Sequence, residues 1–349
     1  MLTLGYKASS EQFGPRELLD FAVEAEQQGF DSVFVSDHFQ PWRHTDGHAP
    51  NCLTWLGAVA ARTERVTLGT SVLTPSFRYN PAVVAQAFAT LGCLMPGRRV
   101  VLGVGTGESM NEVPVGIEWP DQKERFARLK EATELIRELW TRDFVSFEGR
   151  FYRTHNATIY DRPADPVELF IAASGPAAAR LAGRTADGFI CTSGKGMELY
   201  ADTLLPAVRE GAEKGERSYD GVEKLIEMKV SYDPDRGRAL ADCGIWSALA
   251  LPAEAKMGVE DPREMERLAS ELPLEKAASR WLVCSSPDEM VEQIRPYVEL
   301  GFTHLVFHAP GEDQSRFLQL YGEEILPRLR QRWGSTKTAP LTVRSADTG

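Results

Sequence analysis

Short apolar, β-rich runs alternate with longer helical patterns from the first residues nearly to the last, and this alternation constrains the fold more than any other feature. Strand and helix repeated in this way call for parallel strands joined by crossover helices. Eight strand candidates can be read, at 2–6, 32–36, 66–72, 99–104, 167–172, 188–192, 225–232 and 304–308. Helical patterns at 15–28, 81–94, 122–140 and 287–300 lie between them, with Pro at the first turn or Gly29 or Gly301 just past the end. Eight such units predict a (β/α)8 TIM barrel, whereas a doubly wound sheet uses fewer strands and leaves the last units unplaced.

The chain has 349 residues, more than the usual ~100–200 per domain, but barrels of this type reach ~250 and more with insertions. One barrel is therefore expected over 1–335. Two segments interrupt the alternation. Residues 144–158 alternate apolar and polar side chains around Glu148-Gly149, which predicts a β-hairpin appended after the fourth unit. Residues 236–280, rich in Ala, Glu and Pro, are too long for a plain connection and are expected to form helices over the barrel mouth. Residues 336–349 lack periodicity and are expected to be a mobile end.

A net charge of -11 argues against a nucleic-acid partner, so any anionic ligand must meet a local basic pocket. Cys52, Cys93, Cys191, Cys243 and Cys284 are odd in number, scattered and free of CxxC spacing, which fits neither a disulfide framework nor a zinc site and points to a reducing cytoplasm. Neither a basic-then-apolar leader nor a long apolar run is present, so no signal peptide and no membrane span are expected.

In such a barrel the active site lies at the C-terminal strand ends. Strand one runs into Lys7 and Glu11, and strand two into Asp37, His38 and Trp42. The third ends in Thr70, Ser71, Val72 and Thr74; the fourth runs into Gly103, Gly105, Thr106, Gly107 and Glu108, whose glycines admit a ligand close to the backbone. Those glycines lack the spacing and first-strand position of a dinucleotide fingerprint. Ser174 and Gly175 follow strand five, ahead of a helix whose amides favour an anion, and Thr192, Ser193, Gly194 and Lys195 follow strand six. His38, His44 and His48 with Asp37 or Asp46 match no standard metal motif, and Pro41, Gly47 and Pro50 forbid a helix that would align them, so no metal is expected. His304 and His308 share one strand face and read as structural core histidines. Lys195, Lys256 and Arg280 taken singly read as solvated surface, but the small residues of TSGKG leave room for an anion beside Lys195.

The ordered blocks GYKAS, SDHFQPWRHTDGHAP, LGTSVLTPSFRYNP, LGVGTGESMNE, ICTSGKG, RWLVCSSPDE and HLVFHAPG span Leu4 to about Leu329. Together they resemble the deazaflavin-dependent glucose-6-phosphate dehydrogenases of actinobacteria, within the luciferase-like oxidoreductases. The resemblance implies a luciferase-like barrel, a homodimer, coenzyme F420, and oxidation of glucose 6-phosphate to 6-phosphogluconolactone. It implies that Asp37, Thr74, Thr106, Gly107 and Asn111 contact the coenzyme. It also implies that Ser174, Gly175, Ala177 and Ala178 hold its phosphodiester, although the family commonly has glycine where this chain has Ser174. A cis bond between Ser71 and Val72 would back the ring. Thr192, Lys195, Lys256 and Arg280 would hold the 6-phosphate. Taking hydride from C1 requires one group to accept the hydroxyl proton and another to stabilise or protonate the ring. His38 and Glu108 are the candidates, with Trp42 as the wall; His38 is placed nearer the hydroxyl, and Glu108 near the ring or the same hydroxyl. An FMN-dependent monooxygenase on the same barrel is the nearest rival, and a noncatalytic sugar-phosphate or deazaflavin carrier a more distant one.

Overall fold

The computed structural model describes residues 2–334. Nine parallel strands form its sheet: β1 (Thr3–Ala8), β2 (Ser32–Val35), β3 (Thr67–Thr70), β4 (Val100–Val104), β5 (Glu168–Ala172), β6 (Gly188–Thr192), β7 (Glu223–Tyr232), β8 (Leu282–Cys284) and β9 (His304–His308). Each of β1 to β6 pairs with the next, β6 pairs with β7, β7 with β9 and β9 with β1, which closes an eight-stranded TIM barrel. β8 stands outside the ring. It pairs only with the overhanging end of β7, Val230 to Tyr232.

The intervening helices start where the sequence signals it. Pro15, Pro81, Pro176 and Pro287 occupy first turns, and the side chains of Asn51, Asn80, Asp121 and Ser286 accept the free amides at their helix starts. Helix Pro15–Gln27 turns Leu18, Ala22 and Ala25 toward the barrel, and the other helices do likewise to build the large outer core. Inside the barrel a smaller apolar layer consists of Phe34, Val101, Phe170, Ile190, Leu225 and Val306, each contributed by a different strand. Phe34 fits because its neighbour is Gly69: a Cβ there would lie 2.5 Å from the Phe34 ring.

Below this layer, at the N-terminal end, His304 Nε2 lies 2.7 Å from Ser32 Oγ and His304 Nδ1 lies 2.7 Å from Glu223 Oε1. Arg99 bridges Glu223 at 2.7 Å and Glu168 at 2.6 Å. The serine–histidine–carboxylate order looks hydrolytic, but Ser32 is fully buried at the end opposite the active face, so the group is a fastener for β2, β5, β7 and β9. Burial pushes the Glu223 carboxyl up, yet His304 and then Arg99 outweigh it and hold it at about 2 against an ordinary 4.5. A depressed carboxyl contributes stability that is complete above pH 4.5 and is lost as pH falls toward 2. Acid titration of unfolding is expected to lose on the order of 3 kcal/mol across that window in the parent and markedly less in Glu223→Gln. An equally steep acid limb in the variant would assign the loss to other carboxylates.

Several elements differ from the sequence reading. β1 and β7 are shifted or longer at their ends, and β8 was not anticipated. The segment after helix Gln122–Thr141 does double back, with Val145 opposite Ala157 and Glu148 opposite Arg153, but only as isolated bridges. Its turn lies at 149–152 rather than at Glu148-Gly149, because Glu131 on the helix accepts the amides of Arg150, Phe151 and Tyr152. The long insertion forms helical pieces at Arg236–Asp242, Cys243–Ala250, Ala253–Lys256, Pro262–Ser270 and Leu274–Ala278. Trp246, with Trp281 just beyond the last piece, packs with Trp42, so the insertion covers the mouth. The expectation for 336–349 lies outside the described residues. No helix among the described residues is long and apolar enough to cross a membrane.

Candidate active site

The ionisable side chains collect over the C-terminal strand ends. His38, just past β2, is held on both ring nitrogens. Its Nδ1 lies 3.1 Å from the Gln40 carbonyl oxygen and 3.3 Å from Asn111 Nδ2; its Nε2 lies 3.2 Å from Glu11 Oε1 and 3.7 Å from Glu108 Oε2. Glu11 is buried and also accepts the hydroxyls of Ser10 and Ser36. Burial raises its carboxyl, but His38, Lys7 and the Ser36 hydroxyl together carry it below the ordinary range, so it is an anion at neutral pH. Glu108, by contrast, has a side chain 49% exposed and faces the mouth. One imidazole thus sits between a buried anion that orients it and an accessible carboxylate. This arrangement can take a proton from a substrate hydroxyl and hold the resulting charge. Trp42 closes one side, its ring 5.8 Å from that of His38.

Glu11 was noted in the sequence only as a carboxylate following strand one, and its partnership with His38 was missed. Two of the residues expected at the coenzyme also have protein partners. The Asp37 carboxylate is buried: it pairs with Arg78 and accepts the Tyr79 hydroxyl at 3.1 Å, while Arg78 also pairs with buried Glu112. The Asn111 amide is engaged by the protein, its oxygen accepting the Phe39 amide at 2.9 Å and the Gln40 amide at 3.3 Å, its nitrogen reaching Glu108 Oε2 at 3.5 Å. Both therefore build the loop that carries His38.

The remaining candidates line the strand ends. The Ser71–Val72 peptide is cis, as the resemblance implies. Thr74 is buried against Gly107, and Thr106 and Gly107 are half-buried beside Glu108. Ser174 and Ala177 are exposed and Gly175 and Ala178 half-buried at the start of helix Pro176–Thr185, which has no side-chain cap. Open space lies where a Gly175 side chain would be. Uncapped amides at an accessible helix start fit a phosphodiester.

The cations scattered through the sequence come together. Burial and Arg280 lower the Lys195 ammonium; burial, Arg280, Lys195 and Lys229 lower that of Lys256, opposed by Glu108. Burial also lowers the Arg280 guanidinium, which donates to the Leu249 carbonyl at 3.0 Å and whose Nε has no partner among the described residues. Among the described residues no carboxylate forms an ion pair with any of the three. Gly194 makes the approach possible: its φ is +76°, and a Cβ would lie 2.5 Å from the Arg280 carbonyl oxygen. Thr192 is exposed at the end of β6, and its carbonyl is fixed by the Tyr200 hydroxyl at 2.8 Å. Lys256 links this cluster to the histidine, its Nζ lying 5.6 Å from the centre of the Trp42 ring. Mutually repelling, unneutralised cations are a site for a multivalent anion. No group of three His, Cys, Asp or Glu among the described residues is placed to hold a metal.

A closed parallel barrel with its ionisable groups gathered over the strand C-termini is built as a TIM-barrel enzyme. The family model for luciferase-like monooxygenases matches residues 3–304, and the chain belongs to that family. An F420-dependent glucose-6-phosphate dehydrogenase of Nakamurella multipartita is 69% identical over 329 residues, 94% of this chain and 97% of the relative. Another so named, from Beutenbergia cavernae, is 67% identical over 332 residues, 95% of this chain and 98% of the relative. A solved F420-dependent secondary alcohol dehydrogenase, in complex with an F420–acetone adduct, superposes with a TM-score of 0.88 at 33% identity, covering 93% of this chain and 98% of that one.

Proposed function

We propose that this protein oxidises C1 of glucose 6-phosphate with coenzyme F420, giving 6-phosphogluconolactone and reduced F420. The observation that carries the substrate class is the cluster of Lys195, Lys256 and Arg280 with no carboxylate ion-paired to it among the described residues, joined through Trp42 to His38. An acidic chain that concentrates three free cations at one point is built to receive a dianion there. Ser71, Val72, Thr74, Thr106 and Gly107 line the ring site, and the amides beginning at Gly175 hold the coenzyme phosphodiester. F420 supplies the deazaflavin that accepts hydride. His38 takes the C1 hydroxyl proton, oriented by Glu11, while Glu108 faces the ring side; Trp42 excludes water.

Mixing the purified protein with F420 and glucose 6-phosphate is expected to bleach the visible deazaflavin absorbance. The same coenzyme bound without bleaching would mean a carrier, and tight FMN binding with none of F420 would mean a monooxygenase. Residues 1–335 act as one catalytic unit, and the cytoplasm, where the five thiols stay reduced, is its proposed setting. A second copy is the proposed partner. Val83 and Leu94 emerge on one face of helix Pro81–Leu94, 54% and 60% exposed, and Phe144 and Tyr160 are further exposed rings at 65% and 86%. Light scattering should give twice the chain mass for the parent and the single-chain mass for Val83→Glu/Leu94→Glu; a monomeric parent would refute the partner.

A further inference from the structure

Above the apolar layer, directly under the mouth, the barrel buries four ionisable side chains. Glu227 on β7 pairs with Lys7 of β1 at 3.2 Å, Lys229 of β7 at 3.3 Å and His308 of β9 at 3.4 Å. All four are less than a tenth exposed. The His308 contact is close but poorly directed, since neither ring nitrogen makes a hydrogen bond, and the ring is edged by Trp246 and Trp281 at 4.6 and 5.0 Å. Burial lowers the His308 imidazole further than Glu227 raises it, so it is neutral at pH 7 and adds no charge. Lys7 and Lys229 therefore share Glu227, which opposes the lowering of the Lys229 ammonium by burial and by Arg280. Glu11, an anion held by His38 and Ser36, also lies within electrostatic reach of Lys7.

Burying a charge is costly unless it is paired and hydrogen-bonded, and Lys7 is both. The hydrogen bonds of Lys7 show where its charge is directed. Its Nζ donates to the carbonyl oxygen of Ser71 and, at 2.8 Å, to the Ser71 hydroxyl. Ser71 and Val72 form the peptide that backs the proposed coenzyme ring. Hydride arriving on that ring brings a hydrogen and two electrons, hence one negative charge.

We propose that Lys7, anchored by Glu227, is a positioning residue for the deazaflavin, and that the positive charge of Lys7, supported by Lys229, favours the reduced coenzyme over the oxidised one. This rests on the F420 reading above. It assigns to buried strand residues, rather than to His38 or Glu108, the task of stabilising the charge that hydride delivers.

The test is the equilibrium binding of oxidised and of reduced F420, measured anaerobically by deazaflavin absorbance and fluorescence, with no sugar phosphate present. In the parent both forms bind; failure of the oxidised coenzyme to bind would overturn the functional reading itself. Lys7→Met removes both the hold on Ser71 and a unit of charge. Both Kd values are expected to rise, with the ratio of reduced to oxidised Kd about tenfold above the parent's, a shift of the bound midpoint potential to more negative values. Lys229→Met leaves the contacts of Lys7 to Ser71 in place, so the oxidised Kd should hold while that of the reduced form rises roughly threefold. Lys7→Arg should restore most of the ratio. Thermal unfolding reports which variants fold, and if Lys7→Met does not, Lys229→Met decides alone. Equal weakening of both redox forms, or an unchanged ratio in Lys229→Met, would reduce the cluster to a packing role and overturn the inference.

Discussion

Alanine at His38 is expected to lower kcat by about 10²-fold or more, with much less effect on the Kd of either ligand. The imidazole lies between two carboxylates over the strand ends, with Nε2 3.2 Å from Glu11 and 3.7 Å from Glu108. Its loss removes the proposed proton acceptor and strands a buried anion at Glu11. The neighbours separate these effects. Glu108→Gln removes an accessible charge without leaving a buried group unpaired, so its cost should fall on kcat alone. Glu11→Gln keeps the shape and the hydroxyl contacts but removes the negative charge behind the imidazole, and should cost less than His38→Ala. Steady-state rates on the four proteins, with Kd measured separately, test this ordering. Near-normal turnover in His38→Ala would take the residue out of the chemistry and leave Glu108 as the acceptor.

Arg280→Ala is expected to act oppositely, raising KM for glucose 6-phosphate by about 10- to 100-fold while changing kcat by no more than a few-fold. A charge-assisted contact to a phosphate contributes about 1.5–3 kcal/mol, and the phosphate is remote from the atom that reacts, so ground state and transition state lose it alike. Lys195→Ala should behave in the same manner with a smaller effect, because Lys195 is more exposed. The unphosphorylated sugar provides the control: kcat/KM for glucose should be low in the parent and nearly unaffected by either substitution. A fall in kcat as large as the rise in KM would mean that Arg280 helps to place C1, not only to hold the distal anion.

The barrel was legible because its strands are short apolar runs with helix signals between them, and eight of those runs close the ring. β8 was invisible for a physical reason: Leu282–Cys284 is three residues long and is stabilised only by the overhang of β7. The turn at 149–152 was misplaced because its organiser, Glu131, lies on a preceding helix. In the site, residues that follow a strand directly could be named from sequence, as with His38, Glu108 and Lys195. Partnerships could not. Glu11 meets His38 across 27 positions and Lys7 meets Glu227 across 220, and no local pattern marks either lysine of the buried cluster as anything but a charge within a strand. For the same reason the sequence did not show that Arg78, Tyr79 and the Phe39 and Gln40 amides engage Asp37 and Asn111.

The helical insertion between β7 and β8 has a consequence for how such an enzyme can change its diet. The proposed ring and phosphodiester contacts all precede residue 180, whereas the cations for the substrate lie on the β6 end, within the insertion and just behind it, at Lys195, Lys256 and Arg280. The two recognition tasks are written on separate stretches of one chain. A graft of residues 236–281 from a barrel that handles uncharged alcohols should transplant the taste for its substrate while the recipient keeps its own coenzyme, so that a new dehydrogenase can arise by exchanging one lid.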